Sequence, residues 1–141
     1  MNSRKVRLWL GRLLIGAVLA MNLQAAIYFI TRPELAAPAY ELAGVPGEAA
    51  IQGFGVLFLM WNVPYAFAAW NPIRFRISLY QAVLMQTIGL LVESLIYLEL
   101  PLQHATLRAA ILRFILFDGA GLVALLLATA VTFPLKKQGQ D

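Results

Sequence analysis

The chain has 141 residues, 61% of them hydrophobic and 13% charged, with a mean hydropathy of +0.75. Soluble domains are about 45–50% apolar and about 25% charged, so much of this surface is built to face lipid, and four spans of about 20 residues leave no length for a separate soluble domain. The absence of cysteine and the single histidine, His104, exclude disulfides, thiolate metal sites, iron–sulfur ligation, thiol nucleophiles and multi-histidine sites.

The first span is predicted over residues 8–31, after Arg4, Lys5 and Arg7. A basic start before an apolar stretch also describes a signal peptide, with Leu23-Gln24-Ala25-Ala26 as its cleavage region. The apolar character continues through Ile27-Tyr28-Phe29-Ile30, which favours a retained helix. Pro33 ends it, because proline disfavours helical geometry in the residue before it.

Residues 32–50 form the one long connection, with Pro33, Pro38, Gly44, Pro46 and Gly47 among alanines and three glutamates, Glu34, Glu41 and Glu48. A short interfacial turn is expected at residues 40–44. Long loops with their own apolar residues are more often functional than plain connectors. The second span, residues 51–70, contains Pro64, which lipid tolerates where neighbours satisfy the freed carbonyl, and a kink is expected near residues 60–62.

A short basic turn with Arg74 and Arg76 leads to the third span, residues 77–100, which stops at Pro101. The fourth span, residues 107–133, ends at Pro134, and Lys136 and Lys137 follow. The fold class is therefore all-α, a polytopic four-transmembrane-helix bundle in a single domain.

The basic residues orient it. Arg4, Lys5, Arg7, Arg12, Arg74, Arg76, Lys136 and Lys137, eight of the 11, fall on one side, while Glu34, Glu41, Glu48 and Glu99 fall on the other with Arg32, Arg108 and Arg113. The positive-inside rule places both termini in the cytoplasm and the long loop outside, in a bacterial inner membrane. The same rule accounts for the net charge of +4 without nucleic acid.

Ionisable groups within a span are costly, so each is a candidate site residue. Counting about 1.5 Å per residue from the outer ends, Glu93 and Arg113 lie about 9–10 Å down, Asn22 about 13 Å, and Asp118 and Asn62 about 16 Å, with Gln86 deeper. The shared depth makes a Glu93–Arg113 ion pair the natural expectation; Arg113, five residues and about 140° from Asp118 around the helix, is expected to reach either sideways to Glu93 or upward to the interface.

Helical phase puts Gln86, Gly89, Glu93 and Tyr97 on one face, Gln52, Gly55, Leu59 and Asn62 on another, and Phe114, Asp118 and Gly121 on a third. Asp118 is expected to meet Asn62 or Asn22. Trp9, Trp61, Trp70, Tyr65 and Tyr80 suit interfacial belts, although Trp61 is also placed to line a cavity, and His104 is expected at the surface. The alternative for all these polar groups is interhelical glue. No GxxxG face is present.

The run Gly44-Val45-Pro46-Gly47-Glu48, then Gly53-Phe54-Gly55 and an apolar helix closed by Asn71-Pro72, resembles small four-helix bacterial membrane proteins of the DoxX-like type. That resemblance implies an outer Pro/Gly-rich loop leading into a glycine-bearing second helix, and links to quinone-associated complexes and accessory roles.

Two functions are therefore carried forward. The first is a non-enzymatic membrane protein, an accessory or assembly component of a larger membrane complex or one that self-associates. The second is a small membrane protein binding a quinone-like or other lipophilic ligand in a polar cavity of the outer half, lined by Glu93, Arg113, Asp118, Asn62, Gln86 and Asn22, in which Arg113 orients a ligand oxygen. No catalytic residue, metal or resident cofactor is expected, and a transporter is disfavoured because four helices without internal repeats rarely suffice.

Overall fold

The helix boundaries follow local chemistry in a computed structural model that describes residues 3–133. The elements are α1 (Ser3–Thr31), α2 (Pro33–Ala36), a 3-10 turn (Ala37–Tyr40), α3 (Gly44–Trp70), α4 (Arg76–Glu99) and α5 (Ala105–Thr132). Helices α1, α3, α4 and α5 are long and apolar enough to cross a membrane. Even the shortest, α4 with 24 residues, extends about 36 Å, against a hydrocarbon core of about 30 Å. Lys136 and Lys137 lie outside the described residues.

The second span begins earlier than expected, at Gly44 rather than residue 51. Pro46 sits in its first turn, where the missing N–H has no intrahelical partner to lose. The Pro/Gly-rich run expected as loop is thus the start of a helix, and α3 continues through Pro64 to Trp70. The connection shrinks to residues 32–43 and is itself ordered into a strap.

Pro33 opens α2, and the 3-10 turn closes in a Schellman arrangement: Leu42 N–H donates to the Ala37 carbonyl and Glu41 N–H to that of Pro38, both at 3.1 Å. Glu41 occupies the left-handed position at φ 55°, where a non-glycine residue costs about 1–2 kcal/mol.

The four long helices form a ring. Helix α1 packs on α3 and α5, and α4 packs on α3 and α5, while the diagonal pairs α1–α4 and α3–α5 bring no Cα atoms within 8 Å of each other among the described residues. Small residues allow close approach: a Cβ at Gly55 would stand 2.9 Å from the Ala26 carbonyl oxygen and 3.1 Å from the Ile30 nitrogen. Ala26, expected in one alternative as part of a cleavage region, is fully buried within α1 against α3.

The core divides in two. One cluster (Ile15, Val18, Tyr65, Ala68, Leu79, Ala82, Leu125, Ala128) lies toward the end that carries the α3–α4 turn, here called the basic end. A smaller one (Phe29, Ala36, Ala37, Ile51) joins the strap to α1 and α3, at the loop end. Large apolar side chains such as Leu13, Ile77 and Leu116 point outward, 65–75% exposed. In water such a surface would aggregate; in a bilayer it is the ordinary lipid-facing exterior.

At the basic end, Arg12 Nε donates to the Ala69 carbonyl (3.2 Å), and Arg76 reaches the Thr132 carbonyl (3.4 Å). Asn71 Oδ1 accepts from the Ile73 and Arg74 amides, which sets the α3–α4 turn.

Candidate functional site

Between the two core clusters the helices do not fill their shared axis. A cavity of about 450 Å³ remains there, lined from all four long helices. Asn22 on α1, Asn62 on α3, Gln86 and Glu93 on α4, and Arg113 and Asp118 on α5 all line it. Phe58, Trp61, Tyr65, Phe114 and Phe117 supply aromatic walls.

Met21, Gln24 and Tyr28 line the cavity from the exposed side of α1, and Trp61 does so from the exposed side of α3. The cavity therefore reaches the lipid-facing surface along the α1–α5 and α3–α4 seams.

Its floor is a polar chain centred on Gln86, which is 3% exposed. The Tyr65 hydroxyl donates to Gln86 Oε1 at 2.6 Å, and Gln86 Nε2 donates to Asp118 Oδ1 at 2.8 Å. Two glycines make room. A Cβ at Gly89 would collide with Asp118 Oδ2, and one at Gly121 would stand 2.7 Å from Gln86 Nε2.

Higher up, the Asn62 amide nitrogen donates to the Phe58 carbonyl at 2.6 Å, one turn back along α3. Its other end, Oδ1, is buried without a partner among the described residues, and so is Glu93 Oε2. Buried polar atoms are nearly always paired, so two orphans beside one cavity call for an explanation.

Phe58 and Phe114, which line the cavity, pack beneath the strap. Tyr40 packs against Phe29 and Phe114, with ring centroids 5.8 and 6.4 Å apart, and Phe58 closes the cluster against Phe29 at 5.7 Å and Phe114 at 5.9 Å. Burial, and then the nearby Glu93 carboxylate, push the Tyr40 hydroxyl well above the usual tyrosine range, with Arg113 opposing.

The strap is latched to the α4–α5 turn. His104 Nδ1 lies 2.5 Å from Glu41 Oε2, and Leu107 N–H donates to Glu41 Oε1 at 3.3 Å. The His104 hydrogen bond holds the Glu41 carboxyl below the usual carboxylate range. Arg108 ties the same turn, donating to the Tyr97 and Leu100 carbonyls at 2.9 and 2.5 Å.

Several expectations are corrected. Glu93 and Arg113 share a depth but form no ion pair among the described residues. Arg113 is exposed, and its Nε donates to the Ala109 carbonyl at 3.4 Å, one turn nearer the loop end, where a long cation extends toward water. Asp118 meets Gln86 rather than Asn62 or Asn22. Gln52 and Leu59, grouped by phase with Asn62, are exposed, and Gln52 donates to the Ile30 carbonyl at 3.3 Å.

Tyr97 lies under the Arg108 guanidinium, 4.2 Å from its ring, and is not among the residues lining the cavity. His104, expected as a plain surface residue, is half of the latch.

Two participants escaped the sequence reading. Tyr65 was expected at an interfacial belt but is fully buried in the Gln86 chain. It stands three residues after Asn62, hence on the same helical face. Glu41 carried no signal beyond its charge, since its partner is 63 positions away.

Among the described residues no group of three His, Asp or Glu is placed to hold a metal ion. Comparison with protein-family models, curated proteins and solved structures finds nothing that matches this chain, so any functional reading rests on the geometry itself.

Proposed function

We propose that this protein is an integral membrane protein that binds a lipophilic molecule with a polar head in the cavity between its four helices. Its strap faces the outside of the membrane and its two ends face the cytoplasm. The observation that carries the reading is the cavity, about 450 Å³ and lined from all four long helices. Ligand sites occupy about 300–1,000 Å³ and combine mostly apolar walls with a few convergent polar groups.

Interhelical glue explains the Gln86–Asp118 bond. It does not explain why the helices stand apart around that bond and leave Asn62 and Glu93 with unanswered oxygens. An accessory role in a larger complex, or self-association, would use the outer faces and also leaves the cavity without a purpose. The seams at Tyr28 and Trp61 offer entry from the bilayer, which suits a molecule dissolved in lipid. A quinone-like compound is one member of that class.

The test is extraction in mild detergent followed by native mass spectrometry. A bound small molecule should accompany the wild-type chain and be lost from Ala25→Trp, which fills the cavity from α1. A chain that never carries a ligand, and that fails to bind any lipophilic probe saturably, refutes the proposal.

A further inference from the structure

We infer that the polar head of this ligand is a protonated amine, so that the molecule bound is a lipophilic cation; this rests on the ligand reading above. Three of the donors that line the cavity are already spent. Gln86 Nε2 goes to Asp118, the Tyr65 hydroxyl to Gln86, and Asn62 Nδ2 to the Phe58 carbonyl. The two buried atoms left without a partner, Asn62 Oδ1 and Glu93 Oε2, are both oxygens.

The Asn62 orientation is set by its neighbour. Turning the amide over would place its oxygen against the Phe58 carbonyl oxygen and lose the 2.6 Å bond. Asn62 is 3% exposed, so bulk water does not answer Oδ1, and the missing partner is a hydrogen-bond donor.

Charge narrows the class. Glu93 and Asp118 both line the cavity, and neither is ion-paired among the described residues. The one cation lining it among the described residues, Arg113, is exposed and turned toward the loop end. A carboxylate out of water without a counter-ion is costly, and an entering cation supplies one. The walls agree: Phe58, Trp61, Phe114 and Phe117 are aromatic, and aromatic rings attract cations most strongly when water is excluded.

An alkylammonium group brings up to three donors and the charge together. A neutral alcohol brings a donor without the charge. The carbonyls of a quinone only accept, and would leave Asn62 Oδ1 unanswered.

The experiment titrates the protein in phosphatidylcholine nanodiscs, whose zwitterionic surface does not itself concentrate cations. Trp61 is read by fluorescence in a Trp9→Phe, Trp70→Phe background, since neither of those residues lines the cavity. The probes are dodecylamine, dodecanol and a decyl-substituted benzoquinone.

Dodecylamine should bind saturably and about tenfold or more tighter than the other two, the usual margin for a hydrogen bond to a charged group. The near-isosteric Glu93→Gln should erase most of that margin, and Asn62→Leu should weaken amine binding further. If Asn62→Leu does not fold, Glu93→Gln decides alone. Equal or tighter binding of the quinone or the alcohol overturns the amine assignment and leaves the ligand site standing, as does amine affinity that Glu93→Gln does not change. No saturable binding by any probe overturns both.

Discussion

Adding the same methyl group at two glycines of this bundle should move stability in opposite directions. At Gly16 a Cβ meets nothing within 4 Å. Gly16→Ala therefore gains only the helix preference of alanine over glycine, up to about 1 kcal/mol. At Gly55 the same Cβ would stand 2.7 Å from Ile30 Cγ1, 2.9 Å from the Ala26 carbonyl oxygen and 3.1 Å from the Ile30 nitrogen. Two of these three atoms are backbone and cannot swing away, so α1 and α3 must separate. Overpacking of this kind costs about 1–3 kcal/mol, which outweighs or cancels the propensity gain.

The two variants should therefore differ by about 1–3 kcal/mol, or roughly 3–9 °C for a chain of this size. The assay is the fraction remaining monodisperse on size-exclusion chromatography after heating in detergent. Equal midpoints for Gly16→Ala and Gly55→Ala would refute the claim that α1 and α3 pack in contact at this point.

Other outcomes are expected. Gln86→Leu keeps most of the side-chain volume but leaves Asp118 Oδ1 without its donor and removes one of two acceptors near the Tyr65 hydroxyl, the other being the Ala82 carbonyl at 3.2 Å. It should lower stability by about 1–3 kcal/mol in the same heating assay, and a neutral result would show that the chain contributes nothing.

The Glu41 latch should respond to acid. Its folded carboxyl is held below the ordinary value of 4.5, so its contribution is present above that value and lost as pH falls through the lowered one. Amide exchange at Glu41 and Leu42, corrected for intrinsic rates, should quicken at pH 3 relative to pH 7; Glu41→Gln should show little such change, and a wild-type strap equally protected at both pH values would count against the latch.

Because the chain has no native cysteine, single-cysteine variants report topology cleanly. Glu34→Cys should react with a membrane-impermeant maleimide in intact cells, and Arg74→Cys only after permeabilisation; the reverse pattern would invert the orientation.

Much of this molecule was legible in one dimension. Four apolar runs of bilayer length, punctuated by Pro33, Pro72 and Pro101, marked the long helices, because hydropathy and proline act locally. The polar set was legible too: Asn22, Asn62, Gln86, Glu93, Arg113 and Asp118 stand out as polar residues within apolar spans, and all six line one cavity.

Which of them touch was a different matter. Depth does not fix azimuth, and the rotation of each helix is set by close approaches between distant segments, such as Gly55 on Ala26 and Gly11 beside Thr132. Those approaches direct Asp118 to Gln86 and let Arg113 turn to the loop end instead of pairing with Glu93. They also bring His104 to Glu41 across 63 positions. Sequence determined how many long helices there are and where along them each polar group falls; only tertiary packing decided which polar groups pair and which oxygens are left without a partner among the described residues.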